Sequence, residues 1–277
     1  MTQELICRGI AVSPGIAIGQ AYVQRPREVL VPNYLIDPDK VEDELTRFQT
    51  ALQHTAEDIR EAQLRLEEKI GEDHARIFDA HLLILQDTKA IEDTEELVRT
   101  QLMCAEFAFN RVIGRILESF EQIGDSYLRE RKADIEDVRH RLLHNLSGEE
   151  PRSFGAINEE SILVSRDLTP SETAMLERRY ILAVGTNLGG RTSHAAILAR
   201  SYGIPAVVGV PNLMENCQHG DAIIVDGNSG VIVLRPTPET LQRYREAQDR
   251  FVEIEKQLLT LREYPATTLD GRTIELS

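Results

Sequence analysis

Cysteine is scarce in this chain: only Cys7, Cys104 and Cys217 are present. Three widely separated thiols fit neither a disulfide frame nor a zinc knuckle and read as reduced, cytosolic side chains. No apolar run approaches the ~20 residues that a membrane span requires. Met1-Thr2-Gln3-Glu4 lacks the basic and then apolar character of a signal peptide, so no membrane role and a cytoplasmic location are expected. Basic charge is also short, with 31 Lys and Arg against 46 Asp and Glu and a net charge of −15. Without a basic stripe to neutralise phosphates, nucleic acid is excluded as a partner, whereas a basic protein suits the field of the chain. No Walker P-loop occurs, and Gly185 to Gly190 does not fit the GxGxxG fingerprint, so no nucleotide site is expected. The histidines do not cluster with acids or cysteines at zinc spacing, so no metal site is expected either. The tripeptide Glu72-Asp73-His74 reads as a solvated helix start.

What is present is an ordinary globular balance, with 42% hydrophobic and 28% charged residues over 277 positions, enough for two cored domains. Residues 5–24 read as two short strands around Ser13-Pro14-Gly15. Asp37-Pro38-Asp39 then signals a helix start, with a cap followed by proline at the first helical position. Val41, Leu45, Phe48, Leu52, Ile59, Leu66 and Ile70 fall on one face of a long helix that Gly71 ends. Further helical patterns cover about 72–86, 89–98, 104–123 and 126–146, with breaks at Gly124 and at Ser147-Gly148. Long amphipathic helices on short connections predict an antiparallel bundle over residues 25–149.

After Pro151 the texture changes. Short apolar runs at 161–164, 180–184, 206–208, 222–225 and 231–234 alternate with helices or turns, the pattern of an α/β domain. The strands of 5–24 have no core of their own and are expected to join this sheet, which makes the bundle an insertion. A final helix starts at Thr237-Pro238-Glu239. Its stripe of Leu241, Tyr244, Ala247, Phe251, Ile254, Leu258 and Leu261 fits a coiled coil or a linker packed on neighbouring elements.

The chemistry concentrates at Gly189-Gly190-Arg191-Thr192-Ser193-His194-Ala195-Ala196. A short buried strand at 181–184 runs through a glycine turn into a helix that carries a histidine at its start. Paired glycines permit a tight turn and a close approach to a ligand. The helix N-terminus favours an anion and disfavours the imidazolium, so His194 is expected to be neutral and nucleophilic. A structural capping or packing role for a lone histidine stands beside that reading. Thr169-Pro170-Ser171-Glu172 fits a capping box, with Thr169 at the N-cap and Glu172 at N3. Arg191 either meets a phosphoryl oxygen or is an exposed loop arginine. Arg200 lies about 9 Å further along the helix and is expected to complement its C-terminus.

The run GGRTSHAAILAR resembles the phosphohistidine signature of Enzyme I of the bacterial phosphoenolpyruvate:sugar phosphotransferase system. Residues 9–19, GIAVSPGIAIG, are similar to the opening of that family, and residues 167–174, DLTPSETA, to a second segment of its active region. The three motifs stand in the family's order and the resemblance runs through essentially the whole chain. It implies an α/β phosphohistidine domain (1–24 plus 150–236) with an inserted all-α helical bundle (25–149) that binds the carrier protein HPr. A linker helix (237–264) follows, and residues 265–277 resemble the entrance to a C-terminal barrel that binds phosphoenolpyruvate and magnesium.

By the same resemblance His194 is the phosphorylated nucleophile, reacting through Nε2, and Thr169 orients the ring; Gly189, Gly190 and Arg191 are read from the loop itself as the candidate phosphate loop. Glu72, Asp79, His81, Leu83, Ile84, Asp87, Tyr127 and Arg131 are the implied docking surface for HPr. Thr88-Lys89 departs from the family pattern, where acids are expected, and this bears on which carrier is chosen. The expected activity is phosphoryl transfer from phosphoenolpyruvate through His194 to a histidine of HPr, the first step of sugar uptake. A chain without the barrel is expected to perform only the reversible exchange with HPr. It needs no cofactor of its own and is expected to be a monomer, while the full-length family member is expected to be a homodimer. The rival readings are a nitrogen-branch regulatory phosphotransferase, a dikinase-type swivelling domain, and a non-enzymatic helical interaction module.

Overall fold

The computed structural model describes residues 3–24, 30–121, 126–148 and 157–260; the side chains of 121, 126–131, 255, 259 and 260 lie outside that description. Eight strands form one sheet in the order β1-β8-β7-β3-β4-β5-β6-β2. They are β1 (Leu5–Arg8), β2 (Ile10–Ser13), β3 (Ile16–Gln24), β4 (Ser161–Ser165), β5 (Ile181–Thr186), β6 (Ala206–Val208), β7 (Ala222–Asp226) and β8 (Val231–Leu234). Strands β3, β4, β5 and β6 pair in parallel, and the remaining pairings are antiparallel.

The two ends of this order, β1 and β2, are separated in the chain by Gly9 alone. The sheet therefore closes on itself, since one residue spans only a few ångströms. Gly9 makes the closure possible: a Cβ there would lie 2.5 Å from Val210 Cγ2 and 2.6 Å from Val208 O. Residues 5–24 thus form three strands where two were expected, because the chain leaves one edge of the sheet and joins the other within a single step.

Alternation along the strands divides the core. Ile162 and Val164 of β4 point into the rolled sheet with Ala183, Val207, Val225 and Ile232. Leu163 points the other way and packs with Leu168, Leu198 and Ala199 under the covering helices.

Between β3 and β4 lies the helical part. After a 3-10 turn at Pro38–Lys40 come α1 (Val41–Ile70), α2 (Glu72–Ala75), α3 (Ile77–Leu85), α4 (Thr88–Gln101), α5 (Ala105–Glu121) and α6 (Ser126–Ser147). The expected stripe on α1 is its buried face: Leu45, Phe48, Ile59 and Leu66 are buried, and Val41, Leu52 and Ile70 pack against the same core. Gly71, with φ 94°, ends α1. The single helix expected over 72–86 is two helices, because at Arg76 the ladder tightens and Asp79 N donates to Arg76 O, three residues back. Arg47 of α1 ties the bundle ends together through Glu44, Glu106 and the Leu146 carbonyl.

The α/β part adds α7 (Pro170–Met175), α8 (His194–Tyr202) and α9 (Leu213–Asn216), and the chain continues in α10 (Pro238–Thr260). The first half of α10 packs on the sheet, with Tyr244 against Ile224 and Val233 and with Gln248 Nε2 donating to Ile16 O at 2.7 Å. Beyond Phe251 the stripe emerges, and Ile254 and Leu258 are exposed. Residues 265–277 lie outside the described residues. No helix among the described residues is long and apolar enough to cross a membrane.

Candidate phosphoryl-transfer site

Strand β5 delivers the chain to the glycine loop, and the sheet holds the loop in place. Asn187 N donates to Ser165 O, Leu188 N to Arg166 O, and Gly209 N to Leu188 O. The Thr186 hydroxyl donates to Leu188 O at 2.5 Å. Gly189 has φ 105°, a conformation that side chains resist. Gly190 lacks a positive φ, and a Cβ added there would meet nothing within 4 Å, so the turn requires only the first glycine of the pair. Ser193 is the N-cap, its hydroxyl accepting from Ala196 N and donating to Gly190 O. His194 is consequently the first residue of α8, at the helix start expected for it.

His194 is half-buried and sits where α8 meets the helical part. Burial pushes its imidazole below the usual histidine range, so the ring is neutral near pH 7. Desolvation is the largest cause of this shift, and it adds to the field expected of a helix N-terminus. Opposing it are the carboxylates of Asp134, Asp167 and Asp137, while the His81 ring acts in the same direction as burial. The ring opens onto a cavity of ≈ 350 Å³ between the two parts of the molecule. Leu66, Ile70, Asp73, His74, Arg76 and Ile77 line it from the bundle, and Thr173, Ile197 and Leu198 from the sheet side.

A hydrogen-bonded clasp closes the molecule beside this cavity. Ser171, at the start of α7, donates from its hydroxyl and from its amide to Asp137 of α6, and Arg141 Nε donates to the same hydroxyl at 2.5 Å. Lys69 Nζ, at the end of α1, donates to Ala174 O at 2.7 Å and to Leu176 O at 3.0 Å.

Thr169 and Glu172 form the expected capping box. The Thr169 hydroxyl accepts from Glu172 N at 3.2 Å, and no hydrogen bond joins it to the His194 ring in this arrangement. Glu172 also accepts from Gln24 Nε2 at 2.6 Å, and burial pushes its carboxyl up to about 7. Arg191 is exposed and does not line the cavity. Arg200 does not complement its helix C-terminus: it reaches back along α8 and donates to Arg191 O at 3.0 Å, as helical side chains lean toward the N-terminus.

Of the residues implied for docking, Glu72, Asp79 and Asp87 are exposed, Leu83 is 72% exposed and Ile84 is half-buried. The Asp87 carboxylate also caps α4 through Ala90 N. Lys89, the departure from the family pattern, is paired with Asp93 at 2.5 Å. His81 is a correction. It is fully buried under the domain interface, with Nε2 3.6 Å from Asp134 and Nδ1 3.8 Å from Asp137, and offers no surface to a partner. Its spacing carried the signal: it lies three residues after buried Phe78 and four before buried Leu85, on the core face of α3. Asp134, Asp137 and Arg141, on the inner side of α6, were missed because what they face belongs to the other domain, and Arg76 because only the fold places it on the cavity wall. The side chains of Tyr127 and Arg131 lie outside the described residues. No group of three His, Cys, Asp or Glu among the described residues could hold a metal ion.

A solution structure of Enzyme I (nEIt) shares this fold, with a TM-score of 0.70, 38% identity and coverage of 88% of this chain and 99% of that one. This chain belongs to the Enzyme I family. The family description "PEP-utilising enzyme, N-terminal" matches residues 8–131, and "PEP-utilising enzyme, mobile domain" matches residues 157–230, which include His194. Enzyme I relatives named phosphoenolpyruvate-protein phosphotransferase are 36% identical over 273 residues in Staphylococcus carnosus (strain TM300) and 37% identical over 276 residues in Bacillus sp. (strain S). These matches cover 98% and 99% of this chain but 47% of each relative, so the chain spans about half the length of the curated relatives it matches. The N-terminal domain of Enzyme 1 - Nitrogen is a more distant neighbour, with a TM-score of 0.54 and 28% identity over 87% of this chain.

Proposed function

We propose that the chain is the phosphohistidine-bearing half of Enzyme I, with His194 as nucleophile and an HPr-like carrier as its phosphoryl-exchange partner. One observation carries this reading: a neutral imidazole begins a helix at the end of a glycine loop and opens onto a cavity between two domains. A lone pair of the His194 ring attacks phosphorus on the carrier's phosphohistidine. The new P–N bond forms as the old one breaks, and the electron pair of the broken bond returns to the carrier's ring nitrogen. The first turn of α8 favours the phosphoryl oxygens through its dipole and amides. The Thr169 hydroxyl spends an acceptor site on the helix cap and keeps its proton to steady the ring once the domains reorient.

The helical part supplies the docking surface, with Leu83 as its apolar centre and Glu72 and Asp79 as flanking acids. In the full-length protein, phosphoenolpyruvate bound to a separate magnesium-dependent domain is the donor, and the reaction opens sugar uptake in the cytoplasm. The greater likeness to Enzyme I than to its nitrogen-branch counterpart supports the sugar branch.

Incubation with radiolabelled phospho-HPr tests this. Wild-type protein should acquire an acid-labile, base-stable label, and His194→Ala should acquire none. Failure of the wild type to label, or equal labelling of the variant, would refute the assignment.

A further inference from the structure

Resting on the phosphohistidine reading, the cavity beside His194 poses a question that the loop does not answer: which cation meets the phosphoryl oxygens? Arg191, three residues before His194, accepts from Arg200 through its backbone carbonyl and does not line the cavity. Among the described residues, the only arginine or lysine on the cavity wall is Arg76, contributed by the opposite domain at the junction of α2 and α3.

Its present partners hold it loosely. Arg76 Nη2 lies 3.5 Å from Glu72 and Nη1 3.9 Å from Asp73, with side-chain exposures of 65%, 72% and 91% for the three residues. Exposed pairs of that kind contribute little and exchange readily for a stronger acceptor. A phosphoryl group is such an acceptor, because a guanidinium meets two of its oxygens with parallel donors. The position is also forced locally. The tightened turn at Arg76 sets its Cα between two short helices, and its neighbour His74 lines the same wall. Around Ile77 the wall is made of Ala80, Ile197 and Leu198, which offer a phosphoryl oxygen no competing polar group.

We infer that Arg76 is a catalytic residue of phosphoryl transfer, binding the oxygens of the group as it passes to or from His194. The site is therefore complete only when the helical part and the phosphohistidine domain face each other. The P–N bond exchange written above is unchanged; Arg76 neutralises charge on the oxygens, gives up no proton, and trades the carboxylates of Glu72 and Asp73 for the phosphoryl group.

The experiment uses two donors, phospho-HPr and the small molecule phosphoramidate, which needs no docking surface. Labelling rates are measured for wild type, Arg76→Lys, Arg76→Gln and, as a control for loss of a surface cation, Arg65→Gln. With either donor at saturation, Arg76→Gln should be slowed at least about tenfold, short of the ~10²–10³ lost with a fully enclosed charge-stabilising donor because Arg76 is exposed, and Arg76→Lys should retain an intermediate rate. Arg65→Gln should label like wild type, and thermal unfolding of all the variants should stay close to wild type. Wild-type rates for Arg76→Gln overturn the inference. So does a defect seen with phospho-HPr alone, which would make Arg76 a docking residue. If Arg76→Gln fails to fold, an unslowed Arg76→Lys overturns it. An unlabelled wild type, or a labelled His194→Ala, refutes the phosphohistidine reading itself and takes this inference with it.

Discussion

Glu172 shows how one buried carboxyl couples the site to pH. Its pKa of about 7 in the folded protein is raised mainly by burial, against an ordinary value of 4.5. The folded state therefore holds a proton that the unfolded chain has already released between those two values. Stability from this group is present at low pH and lost as pH climbs from about 4.5 through about 7. The amount at stake is on the order of 2 kcal/mol once partial exposure is allowed for. Glu172→Gln should therefore flatten the decline of stability over that window, as read from urea unfolding midpoints at a series of pH values. A variant that declines as steeply as wild type would assign the pH dependence elsewhere. His194 is the complementary case: its lowered pKa keeps the ring nucleophilic below the pH at which an ordinary histidine becomes charged.

At the scale of elements, the loop between β5 and α8 is built from one constrained glycine and one free one. Gly189 combines φ 105° with Ser193 Oγ at 3.0 Å from where a Cβ would stand. Gly189→Ala should cost about 1–2 kcal/mol and slow His194 labelling, because Ser193 must move and Ser193 caps the helix that His194 begins. Gly190→Ala should lie within about 0.5 kcal/mol of wild type. Thermal unfolding of the two variants separates them, and equal destabilisation would mean that the turn depends on both. The capping box at Thr169 and the stripe on α1 were legible in the chain because each is a local pattern with a fixed period. The three-strand path of residues 5–24 was not, because Gly9 matters only through β6 packing against it. The division of α2 from α3 was hidden as well, since Arg76 keeps helical dihedrals (φ −59°, ψ −17°) and nothing nearby breaks the helix.

For the whole molecule, the Ser171 clasp is the contact through which the α/β and helical parts share their stability. Removing its hydroxyl leaves the buried Asp137 carboxylate short of a donor, a loss of about 1–3 kcal/mol. Ser171→Ala should therefore lower the unfolding free energy from urea titration by that amount and shift the midpoint down, whereas Ser119→Ala, an exposed serine bonded only to its own helix, should not. Equal midpoints for the two variants would show that Lys69 and apolar packing carry the interface. The clasp also places two carboxylates and the His81 ring near His194, so this closed arrangement surrounds an unphosphorylated imidazole with negative charge.

The order of the motifs, the helical and strand periods, the cap at Thr169 and the place of His194 between a glycine turn and a helix were determined by the sequence alone, because each depends on residues within a few positions of one another. Only the tertiary structure decided that His81 is buried, that desolvation lowers the pKa of the His194 ring, and that the arginine lining its cavity is Arg76 and not Arg191. Those outcomes depend on which surfaces of two domains meet, a relation between residues far apart in the chain that no local pattern encodes.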